Sequence, residues 1–341
     1  MAKNTYGLDL GSYDIKVYDK MHDVIWKEKS VIAIERNRKE ILATGDDAYH
    51  MFEKTPENIE VAFPMREGVI SRFNDMQFLL QSLLKKGRQF NRGSEYVIAV
   101  PTDVTEVQKK AFFDLVIHSN ARAKEVNIVE RSIADAIGMD IDVQKSKGTF
   151  IANFGGETTE LSVIAGGGMI FNRLLPIGGR TFDQAIINLI RNSHDFLIGS
   201  HTAEALRQRF EVFTADAEAA FMVSGRDLIT GVPMQKAISV NLVRAAMREP
   251  LLECIDAVHS LLDRTPPEVR KVIYEEGIYL TGGIANTPEL DSYIGATLGI
   301  PAKTADEPDI CAVNGLKKII MSKDLRQLAY SMLDERYRWM R

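Results

Sequence analysis

The fold of this chain is decided by two glycine-rich stretches, Gly-Leu-Asp-Leu-Gly-Ser at residues 7–12 and Asn-Phe-Gly-Gly-Glu-Thr-Thr at residues 153–159. Each lies between short runs rich in β-branched and aromatic residues, a pattern that predicts strand, tight turn and strand. Glycine allows a backbone to approach an anion closely, and the hydroxyls of Ser12, Thr158 and Thr159 add neutral hydrogen-bond donors. The two stretches therefore predict two hairpins that contact the phosphates of one nucleotide held between two lobes.

The composition excludes several classes of protein. With 45% apolar and 26% charged residues, the chain has an ordinary composition for a globular protein of two or more domains. Its net charge of -5 provides no basic field, so we expect no nucleic-acid partner. Cys254 and Cys311 lack the spacing of a zinc site or a disulfide framework. The first strand begins too early for a signal peptide, and no apolar run spans a bilayer, which predicts a cytoplasmic protein.

The rest of the chain alternates between strand and helix patterns. A third glycine turn, Gly282-Gly283, follows a strand pattern at residues 277–281 and precedes Thr287 and Pro288, a predicted helix cap and first helical position. These patterns predict a duplicated α/β architecture with a cleft between two lobes. The predicted strands are 31–34, 40–43, 96–100 and 126–129, and the predicted helices are 75–86, 105–120, 132–137 and most of 180–248, including 182–190, 202–210 and 238–262.

In order and spacing, these segments resemble the actin-like ATPases, and most closely the MreB-type bacterial actins. The resemblance extends over nearly the whole chain. It rests on the two hairpins, on Leu280-Thr281-Gly282-Gly283, and on the segments 54–59, 68–70, 130–138, 198–204, 225–233 and 305–308.

This resemblance implies an α/β fold of two ribonuclease-H-like lobes, each with a smaller insert, and ATP with magnesium in the cleft. It also implies filaments of this chain, alone or with an MreB relative, at the inner face of the cell membrane. Such filaments organise cell-wall synthesis and rod shape together with cell-wall elongation proteins. The implied domains are 1–30, 70–146 and 316–341 for the core of lobe I, 31–69 for its insert, 147–179 and 245–315 for the core of lobe II, and 180–244 for its insert.

The resemblance also implies roles for single residues of the two hairpins. Asp9 corresponds to the carboxylate that holds magnesium through a water, and a turn-capping aspartate is the alternative. Glu130 corresponds to the residue that orients the attacking water, and an acid favoured at the start of a helix is its alternative. Thr158 corresponds to the hydroxyl that assists Glu130. The other implied phosphate contacts are Gly11, Ser12, Asn153, Gly155, Gly156, Glu157 and Thr159.

Two further segments correspond to contacts with the nucleoside. Glu204 resembles the acid that contacts the ribose, and Arg207 lies one turn later, where many relatives have a lysine near the base. A solvated pair of side chains three residues apart is the alternative. Gly282 and Gly283 resemble the loop against the adenosine and the α-phosphate, where a side chain would collide with the ligand. An ordinary strand-to-helix turn is the alternative for these two glycines.

Three residues depart from the family pattern. Asn153 replaces an aspartate, which removes a charge, and loss of one transition-state-stabilising group typically costs on the order of 10²- to 10³-fold in rate. Glu157 replaces a glycine, and a carboxylate about 4 Å from a phosphate would be repelled by roughly 4 kcal/mol at an effective dielectric of about 20, unless it binds the metal instead. Ile284 replaces the third glycine of the adenosine loop and would resist positive φ. We therefore expect weakened hydrolysis.

Two segments are candidates for membrane contact. Phe90 lies among Lys85, Lys86, Arg88 and Arg92, at the place where the family has a membrane-inserting loop, and a solvated turn is the alternative. The C-terminal residues 325–341 show helical spacing and end in aromatic and basic side chains. They form either an interfacial anchor or a segment packed against the first lobe.

Three other functions remain open at this point. A sugar kinase begins with a similar hairpin, but a catalytic base and a sugar pocket are not identified here. A heat-shock chaperone would require a peptide-binding domain after the nucleotide lobes. An adaptor of the pilus or division type would use nucleotide only to fix its shape.

Overall fold

The computed structural model describes residues 4–86, 93–119, 123–209, 212–214 and 219–333. The chain forms two compact units. Unit 1 comprises residues 1–147, 162–174 and 310–341, and unit 2 comprises residues 148–161 and 175–309. The finer division into four subdomains remains a prediction.

The first half of the chain contributes ten strands and four helices among the described residues. The strands are β1 Thr5–Leu10, β2 Asp14–Asp19, β3 Val24–Lys29, β4 Ile32–Glu35, β5 Glu40–Thr44, β6 Ile59–Ala62, β7 Met65–Arg66, β8 Val69–Ile70, β9 Glu95–Val100 and β10 Glu125–Glu130. The helices are α1 Asp46–Met51, α2 Phe73–Lys86, α3 Glu106–Ile117 and α4 Arg131–Gly138.

The second half adds eight strands and six helices among the described residues. The strands are β11 Thr149–Phe154, β12 Thr159–Ala165, β13 Gly168–Leu175, β14 Phe196–Leu197, β15 Ala220–Asp227, β16 Pro233–Ser239, β17 Ile278–Thr281 and β18 Ala302–Thr304. The helices are α5 Gly179–His194, α6 Ser200–Arg209, α7 Val240–Arg264, α8 Pro267–Glu276, α9 Leu290–Leu298 and α10 Cys311–Met321. Short 3₁₀ turns lie at Gly283–Asn286 and Leu325–Leu328.

Unit 1 is built on a five-stranded sheet of order β10-β9-β1-β2-β3. The hairpin β1–β2 is antiparallel, whereas β9 and β10 run parallel to β1. Helix α2 packs on this sheet through the apolar residues that its spacing predicted, Met76, Leu79, Leu80, Leu83 and Leu84, all of which are buried. Helix α3 starts with a capping box, in which Thr105 and Gln108 bond to each other's backbone amides.

The second five-stranded sheet repeats this strand order as β18-β17-β11-β12-β13. Strands β11, β17 and β18 of unit 2 are parallel. Strand β12 begins beside β11 in unit 2, and from Ser162 onward it belongs to unit 1, where β13 lies beside it. Each sheet thus contains one hairpin, as the two glycine turns predicted, and two further strands that run parallel to the first strand of that hairpin.

The prediction of a mostly helical segment at 180–248 is wrong in part. Strands β14, β15 and β16 form a three-stranded antiparallel sheet inside it. The β15–β16 turn is stabilised by Asp227, whose carboxylate accepts hydrogen bonds from the amides of Ile229 and Thr230, and by Gly231 at φ 73°. These are turn signals that the helical spacing on either side obscured.

Two predicted helix features are also wrong. Helix α9 begins at Leu290, and because Glu289 has φ 59°, Pro288 is not its first helical residue. In the described part of the C-terminal segment, which ends at Leu333, helix is limited to Leu325–Leu328, and Tyr330 then forms an antiparallel bridge with Ile128 on β10. Tyr330 and Met332 pack against the core of unit 1, which agrees with the packed alternative for the described part of the tail.

Candidate functional site

The carboxyl ends of three parallel strands in unit 1 place Asp9 and Glu130 at one edge of the sheet. Asp9 pairs with Ala99 on β9, and Ala99 pairs with Val129 on β10. Glu130 therefore lies one residue further along and two strands away, a separation of about 10 Å. In open α/β sheets, ligands bind at this edge.

The backbone of the first hairpin has a specific closed geometry. The Gly11 amide donates to the Asp14 carbonyl at 3.1 Å, and a Cβ atom on Gly11 would lie 2.6 Å from that oxygen. Only glycine fits this close approach without a shift of the main chain. The Ser12 hydroxyl is buried and accepts a hydrogen bond from the Gly68 amide at 3.2 Å. The hydroxyl hydrogen of Ser12 can still be donated to an anion.

Asp9 is buried between two cations. Lys16 Nζ lies 3.2 Å from Asp9 Oδ2, and Arg131 Nε lies 3.3 Å from Oδ1. Burial raises the pKa of Asp9, but the Lys16 and Arg131 charges outweigh it and hold the pKa below its ordinary value. Asp9 is therefore a carboxylate at neutral pH, as a magnesium site requires, and its interactions exceed those of a simple turn cap.

Glu130 is held by two side chains from other elements of unit 1. The Tyr330 hydroxyl donates to Glu130 Oε1 at 2.8 Å, and Lys109 Nζ of α3 lies 3.9 Å from the same oxygen. Burial, followed by the charge of Glu130, raises the pKa of Tyr330, so this phenol remains a donor. Glu130 caps α4 by position, but its side chain makes no capping hydrogen bond.

The second hairpin repeats the backbone geometry of the first in unit 2. The Gly155 amide donates to the Thr158 carbonyl at 2.8 Å, and a Cβ atom on Gly155 would lie 3.0 Å from that oxygen. Continued outward along both strands, this register places Glu160 opposite Asn153, as Lys16 lies opposite Asp9 in the first hairpin. Glu160 is 3% exposed. The second hairpin thus has an amide and an acid where the first has an acid and a base.

The Glu157 carboxylate makes a salt bridge to the first turn of α5. Arg180 Nη1 lies 2.8 Å from Glu157 Oε1, and the Arg180 amide donates to the Gly156 carbonyl at 2.8 Å. Glu157 is 8% exposed. Its negative charge is compensated within unit 2, a possibility that the sequence argument did not include.

The two threonines of the second hairpin differ in their surroundings. The Thr159 hydroxyl donates to the Ile177 carbonyl at 2.8 Å and is fully buried. That hydrogen therefore stabilises the fold and does not reach a ligand. Thr158 is also buried, but its carbonyl is what closes the turn. The role of Thr158 beside Glu130 remains a prediction.

Glu204 and Arg207 form a buried network instead of a solvated pair. Arg207 makes two hydrogen bonds to Asp183 of α5, at 2.7 and 3.3 Å, and Gln208 donates to Glu204 at 3.0 Å. Burial raises the pKa of Asp183, and Glu204 adds to this, whereas Arg207 opposes it. A Cβ atom on Gly179 would lie 3.4 Å from Arg207 Nη2, so this network adjoins the start of α5.

The third glycine turn lies next to the second hairpin. Gly282 has φ 86°, and a Cβ atom there would lie 2.3 Å from the Phe154 carbonyl oxygen and 2.8 Å from Asn153 Oδ1. A Cβ atom on Gly283 would meet no atom of the described residues beyond its chain neighbours within 4 Å, so the space beside this residue is open. Ile284 is buried in the 3₁₀ turn and does not have positive φ, so the expected strain at this residue is absent.

Several residues of the candidate site were not identified from the sequence, and Arg131, Arg180 and Tyr330 are three of them. Arg131 immediately follows Glu130 at the start of α4, and this adjacency is the only signal it offered. Arg180 and Tyr330 lie 23 and 200 residues from their carboxylate partners and offered none. Phe90 and the residues after Leu333 lie outside the described residues.

The described residues include no cluster of three or more His, Cys, Asp or Glu side chains with the spacing of a metal site. The Asp9 carboxylate, kept charged by Lys16 and Arg131, fits the chemistry of a magnesium ion that retains its waters. In the described part of the chain, no helix has the length and apolarity needed to span a membrane.

Comparison with solved structures identifies the class of protein. MreB5 of Spiroplasma citri bound to AMPPNP matches with a TM-score of 0.90 and 27% identity, over 96% of this chain and 99% of that structure. A double helical filament of MamK matches with a TM-score of 0.79, at 18% identity over 94% and 99%. The fold is therefore that of the actin-like proteins.

Sequence comparison then identifies the family. The MreB/Mbl protein family model matches residues 3–328. The cell shape-determining protein MreB of Escherichia coli K12 is 34% identical over 95% of each chain, and Mbl of Bacillus subtilis is 29% identical over 95% of this chain and 98% of Mbl. The chain belongs to the MreB/Mbl family, which excludes the heat-shock chaperones and sugar kinases as its class.

Proposed function

We propose that this chain is an ATP-binding, filament-forming member of the family that contributes to cell shape and hydrolyses ATP slowly. The observation that carries the proposal is the repeated hairpin geometry, with Gly11 bonded to Asp14 and Gly155 bonded to Thr158 at the ends of equivalent strands. The AMPPNP- and ADP-bound structures of a 27% identical MreB5 support ATP as the nucleotide.

Magnesium would be held through water by Asp9, whose charge is maintained by Lys16 and Arg131. When bound, the ion neutralises charge that develops on the phosphates. Glu130 orients a water, Thr158 assists it, and Gly282 and Gly283 admit the nucleoside. Glu204 and Arg207 define the ribose and base side of the site from within their buried network.

Slow hydrolysis is proposed because the second hairpin lacks a carboxylate at position 153. Glu157 does not replace it, since its carboxylate pairs with Arg180 at 2.8 Å and its charge is already compensated. Binding of ATP is therefore retained while turnover is reduced, because phosphoryl transfer depends on charge stabilisation and positioning in the transition state.

Electron microscopy of the purified protein with ATP and magnesium, together with phosphate release, tests this function. We expect nucleotide-dependent filaments and turnover well below that of the Asn153→Asp variant. Binding of ATP without filaments would favour an actin-fold adaptor. Rapid wild-type turnover, unchanged by substitution of either Asn153 or Glu157, would contradict slow hydrolysis.

We also infer a peripheral location at the inner face of the cell membrane, where the filaments act with cell-wall elongation proteins. Phe90 and the basic residues around it support this, since each Lys or Arg near anionic lipid contributes about 1 kcal/mol. Pelleting with anionic liposomes is expected to fall in the Phe90→Ser variant and to be unchanged in Phe78→Ser, at an exposed phenylalanine on α2. Equal pelleting of wild type and Phe90→Ser would exclude the Phe90 contact.

A further inference from the structure

The last described segment of the chain reaches the residue predicted to orient the attacking water. Tyr330 bonds to both main-chain groups of Ile128, donating to its carbonyl at 3.0 Å and accepting from its amide at 2.8 Å. Ile128 lies two residues before Glu130 on β10, an edge strand of the unit 1 sheet. Residues two apart on a strand face the same side, as do directly opposed residues. The bridge therefore fixes Tyr330 diagonally next to Glu130.

The hydrogen bond between the two side chains is short and largely buried. The Tyr330 hydroxyl donates to Glu130 Oε1 at 2.8 Å, and only 20% of the Glu130 side chain is exposed. Lys109 approaches the same oxygen at 3.9 Å. A hydrogen bond to a charged acceptor is stronger than a neutral one and restricts the carboxylate to one rotamer. One oxygen of Glu130 is thus fixed by the protein, which leaves the other to bind a water.

We propose that Tyr330 is a positioning residue for ATP hydrolysis, which holds Glu130 in the orientation needed to align the attacking water. The inference rests on the proposed function, because it takes Glu130 as the water-orienting carboxylate. It adds that the segment after α10 is part of the hydrolytic apparatus. In this role Tyr330 acts through its hydrogen bond to Glu130.

The test uses the full chain and the Tyr330→Phe variant, which keeps the ring packed in the core and removes only the hydroxyl. Single-turnover release of phosphate from ATP with magnesium is measured beside the affinity for a fluorescent ATP analogue. We expect about a tenfold loss of rate, as for removal of a hydrogen bond to a charged group. Affinity should stay within error, and the melting temperature should fall by no more than a few degrees, as loss of one such hydrogen bond allows. The matched control is Tyr274→Phe, an exposed tyrosine of unit 2.

Glu130→Gln separates failure of this inference from failure of the proposed function. If Glu130→Gln removes hydrolysis and Tyr330→Phe does not lower the rate, the positioning role is wrong and the function stands. If Glu130→Gln hydrolyses ATP as the wild type does, both are wrong. Should the wild-type rate be too low to measure, the same series is run in the Asn153→Asp background, where absence of turnover would overturn both. A loss of affinity or of sedimentable polymer equal to the loss of rate would also overturn the positioning role.

Discussion

The two hairpins have the same backbone and opposite arrangements of charge. In β1–β2, the acid Asp9 lies opposite the base Lys16, and Arg131 adds a second cation. In β11–β12, the corresponding positions are held by Asn153 and Glu160, and an ion pair brings Arg180 to Glu157. The first turn therefore combines an acid with two cations, and the second combines a neutral amide with two acids, one of which pairs with Arg180.

This difference shows that the shape of the turn and its chemistry depend on different residues. The turn geometry needs only glycine at positions 11 and 155 and the i to i+3 hydrogen bond that each makes. The charges are carried by side chains on the strands and on other elements. A chain can therefore keep the geometry of the turn while the charges around it change.

The largest effect is expected from Asp9→Asn, which makes the first hairpin as neutral as the second. Loss of this carboxylate should lower magnesium-dependent turnover by about 10²- to 10³-fold. Phosphate release measured over a range of magnesium concentrations checks this. The control is Asp14→Asn in the same hairpin, since Asp14 pairs with Lys29 at 2.9 Å and has no predicted role with metal. Equal losses in both variants would show that hairpin integrity, not the charge of Asp9, was measured.

Asn153→Asp makes the second hairpin as acidic as the family pattern. We expect turnover to rise by up to about 10²-fold. Because the new carboxylate lies opposite Glu160, the gain should require magnesium, and without the ion the variant should melt at a lower temperature than the wild type. Turnover and melting curves with and without magnesium test both statements, with Asn188→Asp on α5 as the control. A rise in rate that is independent of magnesium would contradict this role.

Arg180→Ala removes the cation that pairs with Glu157 and tests whether the charge of this carboxylate affects the binding of ATP to the second hairpin. The uncompensated carboxylate should repel the phosphates and raise the Kd for ATP about tenfold, equivalent to ~1.4 kcal/mol. Removal of the carboxylate in Arg180→Ala/Glu157→Gly should restore the affinity. Arg191→Ala, an exposed residue near the end of the same helix, serves as the control in a fluorescence titration. A double variant as weak as the single one would mean that Arg180 itself contacts the nucleotide.

The smallest effect is expected in the dependence of stability on pH. Asp9 of the first hairpin contributes to it, whereas the corresponding Asn153 of the second hairpin has no charge to lose. Since the pKa of Asp9 is lowered in the folded protein, its contribution to stability is present above the unfolded value of 3.8 and is lost as the pH falls through the folded value. The difference in free energy of unfolding between wild type and Asp9→Asn should therefore be constant from pH 7 to 5 and shrink below about pH 4. Urea unfolding across this range measures it, and a difference that grows in acid would contradict the ion pairing.

The parts of the fold that depend on local pattern could be predicted from the sequence, and those that depend on distant partners could not. The hairpins, the buried face of α2 and the strand before Gly282 follow from periodicity and glycine turns. Strands β15 and β16 were missed because they are largely exposed and lie between strongly helical segments. Their strand character comes from pairing with each other and with β14.

The same distinction applies to the site. Asp9, the glycines and Glu130 lie in recognisable motifs, but the groups that set their charge and orientation come from elsewhere. Arg131 is 122 residues from Asp9, and Tyr330 is 200 residues from Glu130. A sequence motif therefore predicts which residues belong to the candidate site, whereas the distant residues that fix their charge and orientation are identified only from the folded structure.

The position of Tyr330 has a practical consequence for microscopy. A fluorescent protein fused close behind Tyr330 would pull on the segment that bridges to β10 and bonds to Glu130. On the roles proposed for these residues, we expect such a label to change the rate of ATP turnover. Dynamics measured with it would then describe the fusion protein instead of the native one.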